Sequence, residues 1–261
     1  MRLSAMLIFA LSIINGTVVA SSTQITKSIT GLQYRTYQVH DFNRIVADGY
    51  FNLKINRAQG KSAAIATRSY NEAPISISVQ DHVLYILSSA DRYLGYANQH
   101  PQVNLTVPTE VKSIMVHGPT NVTSNIASSN LKLVADGFGI VKFQNVKQLD
   151  TISLHGNNVI NIAGIHTNKL SVYLSGSSRL NIQGTVNHLY ARLDDNASLH
   201  ARNLAAEHIT VQAKGDSQAY IYPQKTLRAF AEDAGVIYYY KHLNNLTSYP
   251  IQSGNVLQMK W

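Results

Sequence analysis

Seven turn signals in the C-terminal half, Gly118, Gly137, Gly156, Gly176, Asp195, Gly215 and Asp233, recur at steps of 18 to 20 residues. The residue before each is polar or charged: His117, Asp136, His155, Ser175, Asp194, Lys214 and Glu232. If each segment is one coil of a stacked structure, equivalent positions lie about 4.8 Å apart and these residues form one outward ladder. Asp136, His155 and Ser175 then adjoin as carboxylate, imidazole and hydroxyl, the residue types of a hydrolytic triad. That chemistry requires the imidazole to be aimed at the hydroxyl and donors to surround an oxyanion. Parallel side chains on an exposed ladder supply neither, so no catalytic residue is assigned. His117, Asp136 and His155 also bring together two imidazoles and a carboxylate, ligand types for zinc or a related divalent metal. No supporting second set of partners accompanies them, so the trio stands as a candidate without a metal assigned, and no cofactor is expected. Adjacent acids occur at Asp194-Asp195 and Glu232-Asp233. Neighbours on a strand point apart, so a glycosidase pair would need carboxylates from separate coils.

A second constellation is aromatic. Tyr220 and Tyr238 fall in one outward column and Tyr222 and Tyr240 in the next, predicting a two-by-two patch of exposed tyrosines flanked by Lys225, Arg228 and Lys241. Flat rings stack on sugar faces while their hydroxyls stay hydrogen-bonded at a wet surface. Tyrosines also ladder between strands, and Leu243–Trp261 could lie over these four as a cover. Both uses, ligand binding and end-capping, remain open at this point.

Positioning such columns requires strands. Around every turn the apolar residues alternate with a period of two. One inward column precedes the turn (Val116, Ala135, Leu154, Leu174, Leu193, Ala213, Ala231), and another follows it (Val122, Val141, Ile160, Leu180, Leu199, Ala219, Ile237). Further inward positions fall at Ile126, Val146, Ile165, Val186 and Leu204, and at Leu131, Leu149, Leu170, Leu189, Ile209 and Leu227. Three apolar stretches per coil predict a roughly triangular parallel β-helix, an all-β solenoid of about 19-residue coils whose stacking is obligatory because no coil covers its own core. Helical periodicity is absent. Phe42–Ile55 repeats the strand, turn, strand pattern as a displaced first coil. Ile75–Val79 and Val83–Leu87 read as an antiparallel hairpin, and Val103–Val107 as one more strand, in a region that caps the open end.

Residues 1–20 place Arg2, a short apolar run and Val18-Val19-Ala20 before Ser21, the pattern of a secretory signal peptide. The apolar run is too short to span a bilayer comfortably. The expected organisation is therefore a leader (1–20) and one domain (21–261), comprising an irregular capping part (39–111), regular coils (112–241) and a tail (242–261). The chain has no cysteine, which excludes disulfides and thiolate chemistry. Its formal charge of +8 is spread over single cations. That dispersal provides no nucleic-acid groove or polybasic membrane patch, and a basic exported surface suits anionic glycans or an envelope.

The segments FNRIVADGYFNLKINRAQG and VNLTVPTEVKSIMVHG, the turn Leu174-Ser175-Gly176-Ser177-Ser178 and the closing AGVIYYYK resemble a bacterial family, the putative auto-transporter adhesin, head GIN domain. The resemblance spans roughly Val39 to Lys241. It implies an exported β-helical protein of adhesin type and brings no catalytic residue set. Many members repeat a Ser-Gly-Ser-Gly-Asp turn, whereas this chain carries HGPTN, DGFGI, HGNNV, DDNAS and KGDSQ, so its outward surface is its own. The leading expectation is a periplasmic, cell-surface or secreted binding module for a glycan, envelope component or protein. The alternatives are a structural envelope protein with a packing role and a carbohydrate-active enzyme on a β-helix.

Overall fold

The computed structural model describes residues 27–29, 32–57, 63–70, 75–88, 101–107, 110–126, 130–144, 146 and 148–260; the leader expected over residues 1–20 lies outside them. Regular structure among the described residues is all strand. The chain opens with β1 (Lys27–Ile29), β2 (Leu32–Val39), β3 (Arg44–Asp48), β4 (Asn52–Arg57) and β5 (Ala63–Tyr70). A hairpin of β6 (Ile75–Gln80) and β7 (Val83–Ser88) follows, then β8 (Gln102–Val107). Strands next flank successive corners as β9 (Ser113–Gly118), β10 (Asn121–Ser124), β11 (Leu131–Gly137), β12 (Ile140–Gln144) and β13 (Leu149–Gly156). The long strands β14 (Val159–Leu174), β15 (Arg179–Leu193), β16 (Ser198–Ala213) and β17 (Gln218–Ala231) each run from one corner to the next. The coils end with β18 (Val236–Tyr239), β19 (Asn245–Pro250) and β20 (Asn255–Gln258).

The parallel register is the one the apolar columns predict. Ala135 lies opposite Val116 and Leu154, and Leu193 opposite Leu174 and Ala213. After the corner, Val141 lies opposite Val122 and Ile160, and Leu199 opposite Leu180 and Ala219. All these residues are buried in one continuous core, as are Ile126, Val146, Ile165, Val186 and Leu204. All seven predicted corner residues have positive φ, including Asp195 (62°) and Asp233 (56°), and Gly49 and Gln252 extend the column at either end. Asp tolerates this conformation because its short side chain bonds locally. The Asp195 carboxylate here bonds between coils, accepting the Gly176 N–H of the preceding one at 2.9 Å.

Inside the corners sits a buried polar column that alternation alone does not reveal. Thr120, Asn158, Ser178 and Ser217, each two residues after a corner glycine, are buried. Each side chain donates to a backbone carbonyl: Thr120 to Gly49 (2.6 Å), Asn158 to His155 (2.6 Å), Ser178 to Gly156 (3.2 Å) and Ser217 to Leu193 (3.4 Å). The Gly156 and Leu193 carbonyls also accept the backbone N–H groups of Ser177 (2.7 Å) and Lys214 (2.9 Å), so there the hydroxyl adds a second bond that ties the corner together.

The two ends differ. The displaced first coil is interior: β3 pairs in parallel with both β7 and β9, and β4 with both β8 and β10. The β7 and β8 strands are therefore an outer turn, with β6 antiparallel on β7 and β5 antiparallel on β8, followed by β2 and β1. Chain reversal, visible in sequence as a hairpin, covers this end. The C-terminal tail continues the stack instead of folding over the tyrosines. Its β19 pairs with β17 and β20 with β18, placing Leu246 opposite Leu227 and Val256 opposite Ile237 in the existing inward columns.

Candidate ligand-binding face

The strands that follow each corner carry one outward column of unusual chemistry. Lys142, Asn161, Asn181, His200, Tyr220 and Tyr238 lie opposite one another in turn from β12 to β18. Strand spacing puts such neighbours about 4.8 Å apart, the right separation for an amide ladder and for stacked rings. Asn181 Nδ2 donates to Asn161 Oδ1 at 2.9 Å. The His200 and Tyr220 rings stack at 5.0 Å and 12°, and those of Tyr220 and Tyr238 at 4.8 Å and 14°. The stack is oriented at its edges, where the Ser198 hydroxyl meets His200 Nε2 at 2.9 Å and the Tyr220 hydroxyl donates to Gln218 Oε1 at 2.9 Å.

Burial, and after it the Arg179 cation, holds the His200 imidazole below its ordinary pKa, so it is neutral at pH 7. Burial, aided by Tyr238 and Tyr240, raises the Tyr220 phenol. From Asn161 to Tyr238 the column is thus a neutral aromatic and amide surface, with the Lys142 cation at its far end. Beside it runs an open groove of about 430 Å3, whose lining includes Lys142, Asn161, Asn181, Gln183, His200 and Arg202. No carboxylate lines it, while Lys142 and Arg202 mark opposite ends of the column segment. Backbone irregularities follow Ile162, Asn181 and Ala201 on one flank, where the long strands bend toward the next face.

Of the four predicted tyrosines, the structure brings Tyr220 and Tyr238 together as expected, both half-exposed. The two-by-two patch does not form. Tyr240 is only 8% exposed, with the Arg202 guanidinium 5.0 Å above its ring. The reason is local: β18 ends at Tyr239, so alternation stops there. Tyr222 stands opposite Ala205, beyond a register shift, and is half-buried. The expected flanking cations are engaged or distant. Lys225 pairs with Glu207 at 2.8 Å, Lys241 binds the Gln224 carbonyl at 3.1 Å, and Arg228 belongs to the strands before the corner. Asn161, Asn181, His200 and Arg202 were not singled out from sequence. Extending the Tyr220 column backward by single coil steps leads to the first three.

The ladder before the corners forms in register, Asp136 lying between His117 and His155. His155 Nδ1 meets the Ser175 hydroxyl at 2.6 Å, but its Nε2 faces Ser153 at 3.3 Å, leaving neither nitrogen for a carboxylate. A relay of the triad type is not assembled. Among the described residues, no three His, Asp or Glu side chains converge as metal ligands, so His117, Asp136 and His155 do not form a site in this arrangement. Farther along, Arg192 pairs with Asp194 at 3.0 Å and Lys214 with Glu232 at 3.6 Å, a charge-compensated surface. Asp194 and Asp195 have separate partners, Arg192 and the Gly176 N–H.

Known structures share this architecture. A putative adhesin from Parabacteroides merdae superposes with a TM-score of 0.73 at 18% identity, covering 88% of this chain and 97% of that one. A putative adhesin from Bacteroides fragilis gives 0.66 at 18% identity, covering 88% and 98%. A putative lipid binding protein from Parabacteroides distasonis gives 0.67 at 12% identity, covering 88% and 97%. At such identities the likeness is one of fold. The comparison with curated proteins finds no match. The family profile described as putative auto-transporter adhesin, head GIN domain, matches residues 41–242, from the first coil through Tyr240, and the chain belongs to that family.

Proposed function

We propose that this protein is a non-catalytic binding module of adhesion type, acting outside the cytoplasm, and that its ligand is a saccharide, favourably an acidic one, lying along the groove of the post-corner strands. The observation that carries the reading is the continuous column in which the Asn161–Asn181 amide pair passes into the His200–Tyr220–Tyr238 stack. Amides bond ring hydroxyls, aromatic faces pack on the apolar faces of sugars, and a repeating scaffold suits a repeating polymer. Lys142 and Arg202, with no carboxylate in the lining, favour negative charge on that polymer. The adhesin description of the family supports a role at a surface. Membership also supports export, and no helix among the described residues is long and apolar enough to cross a membrane.

The test is calorimetric titration with acidic and neutral polysaccharides, using the wild type, Tyr220→Ala and Asn181→Ala. Tyr190→Ala, altering an exposed ring on the face before the corners, serves as control. Loss of at least about tenfold in affinity is expected for the first two variants and none for the control. Saccharide binding that persists unchanged in Tyr220→Ala sinks the assignment. Protease treatment of intact cells tests location, since a surface adhesin must be cleaved.

A further inference from the structure

Charge is segregated on this rod. The stretches that follow the corners, 52–57, 121–124, 140–144, 159–163, 179–183, 198–203, 218–222 and 236–239, contain no Asp or Glu. They carry five cations: Lys54, Arg57, Lys142, Arg179 and Arg202. On the other faces cations sit beside acids, Arg192 by Asp194, Lys214 by Glu232 and Lys225 by Glu207. Lys54, Lys142 and Arg179 are exposed, and none has an ion pair among the described residues. Like charges left uncompensated on one face repel one another, and an anion laid along that face relieves the repulsion.

The three cations are spaced by the coils. The column of the groove continues past Lys142, which lies opposite Thr123, and Thr123 lies opposite Lys54. Arg179 stands two residues before Asn181 on β15, hence on the same side of the strand. Across β4, β10, β12, β14 and β15, cations therefore occupy the first, third and fifth strands, and the column residues of the second and fourth are the uncharged Thr123 and Asn161. Two strand spacings, about 10 Å, separate successive charged rows. Amides accompany them: Asn121 Nδ2 donates to Asn52 Oδ1 at 3.0 Å, a second ladder like that of Asn161 and Asn181. Arg202, over the Tyr240 ring, and Arg57, at the end of β4, lie outside this alternation.

A β-linked hexose advances along an extended chain by close to one strand spacing, so sugars and coils stay in register. We propose that the saccharide of this groove alternates acidic and neutral sugars, one sugar per coil, and runs beyond Lys142 to Lys54. Each of Lys54, Lys142 and Arg179 meets one acid group, while Thr123 and Asn161 hydrogen-bond the neutral sugars between them. The assignment rests on the saccharide reading of the groove and adds to it the spacing of the charge. A polymer acidic at every sugar sets half its charges opposite a hydroxyl or an amide that supplies no cation, and gains less per charge.

Calorimetric titration of the full chain with two oligosaccharides of equal length tests the spacing. One is hyaluronan, with a carboxylate on every second sugar, and the other is β-linked oligomannuronate, with one on each. The wild type is expected to bind hyaluronan at least about threefold more tightly, although that ligand carries half the charge. Lys54→Gln, Lys142→Gln and Arg179→Gln each weaken hyaluronan binding roughly fivefold, the effect of one exposed ion pair, and Lys132→Gln, on the face before the corners, does not. Equal or tighter binding of oligomannuronate, or a folded Lys54→Gln variant with wild-type affinity, overturns the alternation; if Tyr220→Ala still weakens binding, the saccharide reading survives. A protein that binds neither oligosaccharide also overturns the alternation, and one that binds phosphatidylglycerol vesicles in their place overturns the saccharide reading with it.

Discussion

Two glycines with positive φ differ in what surrounds them, and that difference sets a quantitative test of the coil geometry beside the candidate site. Gly184 follows Gln183 of the groove lining and has φ +137°. A β-carbon there would fall on the Ile165 carbonyl oxygen of the coil below and 2.8 Å from the Ile165 nitrogen. Gly118, at a corner, has φ +65°, and a β-carbon would meet nothing closer than Asp48 Oδ1 at 3.6 Å. Gly118→Ala therefore incurs only the left-handed backbone penalty, roughly 1–2 kcal/mol. Gly184→Ala adds a conformation that only glycine adopts readily, up to about 3 kcal/mol, to overpacking of about 1–3 kcal/mol against backbone that cannot rotate away. The expected loss is about 4 kcal/mol, at least ~2 more than for Gly118→Ala, a further drop in Tm of about 4–8 °C for a domain of this size. Urea titrations at constant m-value and thermal melts measure both. Equal losses for the two variants would refute the stacking of Gly184 on Ile165 and with it the bend that shapes the groove.

Asn158→Ala removes the donor to the His155 carbonyl (2.6 Å) and the acceptor of the Gly139 N–H (3.1 Å) in a buried corner. Leaving both groups unsatisfied costs about 2–4 kcal/mol in the denaturation midpoint, and a loss below about 0.5 kcal/mol contradicts the role given to the polar column. His200, depressed by burial and then by Arg179, is harder to protonate in the fold than in the unfolded chain. Its contribution is therefore fully present above the unfolded pKa near 6.5 and is lost as pH falls through the lower native value. His200→Gln flattens that part of the stability profile, and an NMR titration placing the His200 midpoint above that of an unfolded histidine reverses the sign and defeats the argument.

The repeat was legible because a step of 18 to 20 residues brings like residues into columns, and the inward columns of the strands on either side of each corner are apolar. Leu154, Leu174 and Leu193 declare their position by type alone. Asp195 and Asp233 were placed at corners on the same grounds, since few residue types tolerate a φ near 60°. What stayed hidden is polar. Asn158 and Asn161 are the same residue type three positions apart, yet one is sealed in a corner and the other lines the groove. No composition rule separates them; their distance from the corner at Gly156 does. The spatial order of the N-terminal coils was equally hidden, because β3 bonds on both sides, to β7 and to β9, and alternation is indifferent to which neighbour comes first in the chain.

Tyr240 shows where a column argument fails and why the site moved. Alternation counts residues along a strand, so it holds only while the strand continues; β18 stops at Tyr239, and the next ring turns under Arg202. Counting across strands has no such limit while the register holds. From Tyr220 it runs through His200, Asn181 and Asn161 to Lys142 without a shift. The sideways patch of four tyrosines thus becomes a lengthwise column across coils. That change bears on function, because four clustered rings would seat a single sugar, whereas a column of amides and rings along a rod presents successive contacts to a chain. If the reading is right, affinity must rise with oligosaccharide length until the ligand spans from Tyr238 to Lys54, and then level off.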